Sequence, residues 1–193
     1  MITATILAAG LSRRMGKAKM ALPWGSTTVL GQVLQVVRSA GVEDLLVVTG
    51  AAREAVEAIC LAAGVRTVPN PEYESGEMLS SLQIGLRTMP PNSQAALVVL
   101  GDQPGIQESV VEAVVRARIE SGASLAVPSY ERRRGHPWLV GRDWWAELLE
   151  MQPTQTPRDF LNRHSDAIHY VQVESASILQ DIDTPEDYLK TRP

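Results

Sequence analysis

Short apolar runs rich in β-branched residues alternate along the chain with segments whose apolar positions recur at helical spacing. The runs are Thr3–Leu7, Leu45–Thr49, Val65–Val68, Ala95–Leu100 and Ser124–Val127. Near-continuous apolarity predicts strands buried on both faces of a parallel sheet. Between them, Leu30, Val33, Leu34 and Val37 fall at i, i+3, i+4 and i+7, one face of a helix over Thr28–Ala40. Ala52–Ala63, Leu79–Thr88 and Val110–Glu120 carry weaker versions of the same period. Strand and helix alternate from the first run to the fifth, which predicts an α/β fold: a three-layer α/β/α sandwich around a mostly parallel, Rossmann-like sheet with right-handed crossovers. After Gly141 the pattern reads helix, loop, helix, a strand over Ala167–Val173 and a last helix. The breaks at 70–76, 89–93 and 151–157 are short enough to be loops, so residues 1–193 are expected to form a single domain.

Composition narrows the function. The chain has 193 residues, 45% of them apolar and 21% charged, with a net charge of −4. An acidic balance argues against a general nucleic-acid or anionic-membrane binder. No apolar run approaches the ~20 residues that span a bilayer, and the apolar start is broken by Thr3 and Thr5. The single cysteine, Cys60, cannot close an internal disulfide or build a zinc site alone. The expectation is a soluble, cytoplasmic protein. Cys60 and His169 read as packing residues, while Trp138, Trp144 and Trp145 suit a core, a rim or a subunit contact.

In such sheets ligands bind beyond the carboxyl ends of the strands. The segment after the first run, Ala8-Ala9-Gly10-Leu11-Ser12-Arg13-Arg14-Met15-Gly16-Lys17-Ala18-Lys19, holds two glycines, a hydroxyl and four cations. Free backbone amides with Arg and Lys are how proteins hold phosphate oxygens. A solvated basic loop has the same composition. Neither a Rossmann fingerprint nor a P-loop is present. After the fourth run comes Gly101-Asp102-Gln103-Pro104; an Asp there suits a turn or a hard oxygen ligand for Mg²⁺. Near the end, Thr184, Pro185 and Asp187 spell a helix cap. That leaves Asp181 and Asp183, which share one face if the segment is extended. Ser80 or Ser81 would cap the helix opened by Gly76-Glu77-Met78, or bind an anion there. Arg132-Arg133-Arg134-Gly135-His136-Pro137 reads as a basic hairpin with a Gly-His-Pro turn.

Leu7-Ala8-Ala9-Gly10-x-Ser12-x-Arg14-Met15-Gly16-x-x-Lys19, followed by Leu22-Pro23, resembles the signature of the MobA-like nucleotidyltransferases. Leu-Ala-Ala-Gly and Gly-Asp-Gln-Pro are most similar to their molybdenum-cofactor cytidylyltransferase branch, of the nucleotide-diphospho-sugar transferase fold type. The resemblance implies transfer of CMP from CTP to the phosphate of molybdenum-loaded molybdopterin, with Mg²⁺ (or Mn²⁺) as cofactor and pyrophosphate as product. It implies nucleotide binding by Leu7, Ala8, Ala9, Gly10, Ser12, Arg14, Met15, Gly16, Lys19, Gly101 and Asp102. Lys19, Arg14 and Asp102 would be catalytic, and Asp102 and Asp183 would hold the metal, with Asp181 structural. Ser80, Ser81, Gly135 and His136 would lie toward the acceptor, and a molybdoenzyme or its maturation factor would receive the product. Residues 150–160 depart from the family pattern. Rival readings are a GTP-using guanylyltransferase, a nucleotidyltransferase for a sugar phosphate or other small phosphate, and a nucleotide-binding regulator without turnover.

Overall fold

The computed structural model describes residues 1–75 and 77–193; Gly76, which opens the 76–86 segment singled out above, lies outside the described residues. The strands are β1 (Ile2–Ala8), β2 (Pro23–Trp24), β3 (Thr27–Thr28), β4 (Asp44–Thr49), β5 (Arg66–Pro69), β6 (Ala95–Leu100), β7 (Leu125–Tyr130), β8 (Arg133–Arg134), β9 (Trp138–Gly141) and β10 (His169–Gln172). The helices are α1 (Val29–Ser39), α2 (Arg53–Ala62), α3 (Met78–Thr88), α4 (Glu108–Ser121), α5 (Trp145–Glu150), α6 (Pro157–Arg163) and α7 (Pro185–Thr191).

The main sheet runs β10-β7-β9-β6-β1-β4-β5, with β8 hung on β7. Only β8 and β9 run antiparallel to their neighbours. Alternate residues of each strand feed opposite faces. Ala4, Ile6, Leu45, Val47, Leu97 and Val99 meet α1, α2 and α4 through Leu34, Val56 and Val114. Leu7, Val48, Ala96 and Val98 meet α3, α5 and α6 through Leu82, Leu148 and Phe160. These are the three layers that the apolar pattern predicts. Gly85 lets α3 lie against β1, since a Cβ there would collide with the Thr5 hydroxyl. Among the described residues no helix is long and apolar enough to cross a membrane.

From β1 the chain builds outward through β4 to β5, then returns to lay β6 on the other side of β1. The two crossovers depart in opposite directions, so a crevice opens between the carboxyl ends of β1 and β6. The site stands there.

Several expectations change. The run after Pro137 is a full strand, β9, antiparallel and wedged between β6 and β7; of the places open to Trp138, it takes the core. β7 continues past Val127 through Pro128 to Tyr130. The proline is tolerated because β7–β9 pairing has already ended at Ala126–Leu139. The hairpin of β2 and β3 has no apolar run to announce it. Ser80 and Ser81 cap nothing, because α3 starts earlier, from Glu77, and the Ser80 hydroxyl instead donates to the Glu77 carbonyl at 3.0 Å. His169 is exposed on β10, not packed. Cys60 is a core residue of α2, and burial pushes its thiol up to about 11. Trp145 is buried, and Trp144 meets Phe160 edge to face and His164 at a tilt.

Candidate active site

The loop after β1 is shaped by its own backbone. Met15 and Gly16 both donate to the Ser12 carbonyl, at 3.0 and 3.2 Å, and the turn needs left-handed backbone at Ser12 (φ 48°) and Gly16 (φ 64°). Met15 points inward, against Trp24, Val29 and Ile182, and anchors the loop. Gly50 permits the approach of the β4–α2 turn, since a Cβ there would strike the Ala9 backbone. Arg13, Arg14 and Lys17 stay exposed, whereas Lys19 is buried at the start of a short 3-10 turn, Lys19–Ala21.

The Lys19 ammonium is the centre of the site. It pairs with the Asp102 carboxylate, donates to the Ile182 carbonyl at 2.9 Å and reaches Asp183 Oδ1 at 3.2 Å. Arg14 closes the mouth through Asp183 Oδ2 at 2.6 Å. Asp102 follows β6, and Gly101 before it donates to the Leu7 carbonyl, which draws the two strand ends together. The C-terminal segment is tied in by Ile182, whose amide donates to the Asp102 carbonyl at 2.9 Å and whose side chain joins Met15. A capping box at Thr184 and Asp187 then fixes the backbone, the Asp187 carboxylate accepting from the Asp183 and Thr184 amides.

One carboxylate belongs to this group that the sequence reading left structural. Asp181 presents an oxygen that lies with those of Asp102 and Asp183 within 4.8 Å of one another. The signal was the i, i+2 spacing about Ile182: Ile182 faces the core, so both flanking aspartates face the crevice. Burial pulls the Lys19 ammonium down, but Asp102 and Asp183 outweigh it and hold the group charged, above its ordinary value. Burial pushes the Asp102 carboxyl up against the opposing pull of Lys19, and Asp181 adds to the push.

Around this cluster lies a cleft of about 530 Å³, lined by Leu7, Ala9, Gly10, Ser12, Arg14, Lys19, Asp102, Asp181 and Asp183. Ala8, Met15 and Gly101 are buried and do not line it. Gly16 borders a neighbouring hollow on the far side of the loop. Ser81 lines the cleft; its hydroxyl and that of Ser80 accept from the buried Asn70 amide at 3.0 and 2.9 Å. Tyr73, also on the cleft wall, carries no motif that could have marked it.

A second, wider cavity of about 1100 Å³ joins the first at Glu77, Met78, Leu100 and Asp181. Arg132, Arg133, Arg134 and Arg158 line it, as do Gly135 and His136. Gly135 is there for packing: a Cβ would collide with the Ile178 carbonyl. The His136 Nε2 is buried with no hydrogen-bond partner, and burial lowers the ring to about 4, so it is neutral at pH 7. Arg134 is fixed by Asn162 at 2.9 Å and the Tyr170 hydroxyl at 3.1 Å. Thr156, Pro157 and Arg158 of the segment that departs from the family pattern form part of the same wall. The crevice thus offers cations and amides for a polyphosphate, three hard oxygen donors, and an adjoining basic cavity for a second substrate.

Comparison with known proteins gives a family model described as the MobA-like NTP transferase domain, matching residues 4–168. The chain is 28% identical over 192 residues to the molybdenum cofactor cytidylyltransferase of Escherichia coli, covering 99% of this chain and 95% of that one. It is 26% identical over 192 residues to nicotine blue oxidoreductase of Paenarthrobacter nicotinovorans, covering 96% of this chain and 93% of the relative. Rv0371c of Mycobacterium tuberculosis, solved as a complex with manganese, superimposes with a TM-score of 0.82 at 27% identity, over 98% of this chain and 96% of its own.

Proposed function

The chain belongs to the MobA-like NTP transferases and is a nucleotidyltransferase; on that premise we propose that it moves CMP from CTP to the phosphate of a molybdopterin-type acceptor that already carries molybdenum. The observation that carries the reading is the continuity of two cavities: a phosphate-binding cleft with three carboxylates opens into a basic cavity at the switch point of the sheet. All 193 residues act as one unit in this reading, since the site pairs Arg14 with Asp183 across the length of the chain. One buried thiol and a net charge of −4 suit the cytoplasm.

The residues fit a divalent ion, because three carboxylates offer hard oxygen donors of the kind Mg²⁺ and Mn²⁺ take. Asp102 and Asp183 would hold it. When bound, such an ion neutralises charge on phosphate oxygens. The chain's own residues do the rest. Amides of the Gly10–Gly16 loop and the Arg14 guanidinium bind the β and γ phosphates. Lys19 stabilises the charge that grows between the α-phosphate and the departing pyrophosphate. An oxygen of the acceptor phosphate attacks the α-phosphorus in line, and the bond from that phosphorus to the bridging oxygen of pyrophosphate breaks. A phosphate monoester has its second pKa at ~6, so the nucleophile is already ionised and no general base is needed. A neutral, buried His136 is consistent with that.

CTP is favoured by Leu7-Ala8-Ala9-Gly10 and Gly101-Asp102-Gln103-Pro104, which resemble the CTP-using branch. One relative is named an oxidoreductase, so likeness to a single relative does not choose the substrate; the cations and carboxylates of the cleft support a polyphosphate. The test is pyrophosphate release from CTP, GTP, ATP and UTP with Mg²⁺, with molybdenum-loaded molybdopterin, with a panel of sugar phosphates, or with no acceptor. Acceptor-dependent release from CTP is expected. Release from GTP overturns the base, release only with sugar phosphates overturns the acceptor, and tight binding without release supports a regulator.

A further inference from the structure

An ammonium has three N–H donors. All three of Lys19 are committed inside the protein: to the Asp102 carboxylate, to the Ile182 carbonyl and to Asp183 Oδ1. The side chain is only 8% exposed, so no water shell stands in reserve. Two of those partners are also members of the three-carboxylate cluster. Lys19 therefore fills the position that a divalent ion held by Asp102 and Asp183 would need. Mg²⁺ sits at about 2.0–2.1 Å from its oxygens. A lysine on the same oxygens would stand within a few ångströms of it, a strong repulsion at low effective dielectric.

The charges agree. Three carboxylates face two cations, Lys19 and Arg14. Asp181 has no ion-pair partner among the described residues and is exposed at the junction of the two cavities. The cluster thus carries one uncompensated negative charge, on the carboxylate nearest solvent.

We propose that Lys19 is the resident cation of this site, and that a divalent ion takes its place, with Asp181 as a third ligand, only when an incoming triphosphate draws the ammonium off the carboxylates. The inference rests on the reading of the cleft as a nucleotide site. It makes metal and nucleotide binding reciprocal: each is weak alone and each strengthens the other. The Ile182 carbonyl, which accepts from the Lys19 ammonium at 2.9 Å, is no ligand of the ion and stays open to the ammonium through the exchange. The free protein is kept from binding stray metal, and the carboxylates open to the ion only once a triphosphate has drawn the lysine away.

The test is Mn²⁺ titration of the whole chain, reading the free ion by electron paramagnetic resonance, with and without an α,β-methylene analogue of CTP. For the wild type the analogue is expected to tighten Mn²⁺ binding about tenfold or more, within the usual range of coupling between sites. Without nucleotide, Lys19→Met is expected to bind Mn²⁺ tighter than wild type by a similar factor, and the analogue to add little to it. Lys19→Arg, which keeps the charge, should stay near wild type, and Asp181→Asn should weaken Mn²⁺ in every setting. Equal or weaker Mn²⁺ binding by folded Lys19→Met overturns the exchange, as does wild type that binds Mn²⁺ equally well with and without a bound analogue. If Lys19→Met fails to fold, the wild-type coupling alone decides. Failure of the nucleotide reading looks different: the analogue itself does not bind any form of the protein.

Discussion

The two ends of the cleft are built on opposite plans. At the phosphate end, Lys19, Asp102, Asp183 and Arg14 satisfy one another. At the far end, the His136 Nε2 is buried without a partner, and Arg132, Arg133 and Arg158 have no ion-pair partner among the described residues. A self-satisfied cluster is stable when empty and must rearrange to work. At the second end the exposed arginines are held by water and free to take an anion, and only the buried His136 Nε2 costs stability while it stands unpartnered. Binding is therefore expected to reorganise the first end and to fill the second with little movement.

The largest effect should come from breaking the first end. Asp102→Ala removes a carboxylate that holds both Lys19 and the proposed ion, and pyrophosphate release is expected to fall by about 10²- to 10³-fold. The melting temperature, measured alongside, should show the fold intact.

The second end should betray itself through pH. His136 is lowered to about 4 by burial, against an unfolded value near 6.5. The unfolded chain binds the proton more readily, so the stabilising advantage of the neutral ring is complete above pH ~6.5 and is lost as pH falls toward about 4. Chemical denaturation should show wild type losing a few kcal/mol more than His136→Gln across that window. Parallel curves for the two proteins would remove His136 from the account.

Gly135→Ala sharpens the contrast at intermediate size. Its Cβ collides with the Ile178 carbonyl, so about 1–3 kcal/mol of stability should be lost. Acceptor KM should rise while CTP affinity holds. A smaller effect separates two copies of one local motif. Thr156 and Thr184 both start helices with a capping box, and Ala at either should cost about 1 kcal/mol. Thr184→Ala should also slow turnover at saturating acceptor, because its box fixes the Asp183 amide, whereas Thr156→Ala, on the wall of the far cavity, should act on acceptor KM. Equal turnover in the two variants would show that Asp183 needs no such support.

The same contrast governs what the sequence discloses. The phosphate end is made of contiguous strand-to-loop units, β1 with residues 9–19 and β6 with Gly101-Asp102, each announced by an apolar run and a glycine. So the cationic loop and Asp102 stand out before any coordinates, whereas the roles of Lys19 and Asp102, and the choice of Asp183 from a distant segment, come from the resemblance to the MobA-like signature. Asp181 was passed over because a helix cap next to it explained the segment well enough. The far cavity is assembled from the Arg132–His136 hairpin, β7, β9, β10, α6 and the 176–179 turn, and only the hairpin is marked in the sequence by its own chemistry. Pro128 hides the end of β7, and Pro137 hides the start of β9. Residues 156–158 look unlike the family yet line the wall, since what recruits them is the packing of α6 through Phe160 and Leu161 against the sheet. The serines at 80 and 81 were placed one turn wrong, because a first turn without a side-chain cap leaves no mark in the sequence.

The fate of the phosphorus atoms tests the central claim most directly. CTP labelled with ³²P at the α position in one tube and at the γ position in another would be incubated with the protein, Mg²⁺ and molybdenum-loaded molybdopterin. Attack at the α-phosphorus predicts that the α label moves to the acceptor and the γ label leaves as pyrophosphate. Label from the γ position on the acceptor, or released as inorganic phosphate, would contradict nucleotidyl transfer at this site.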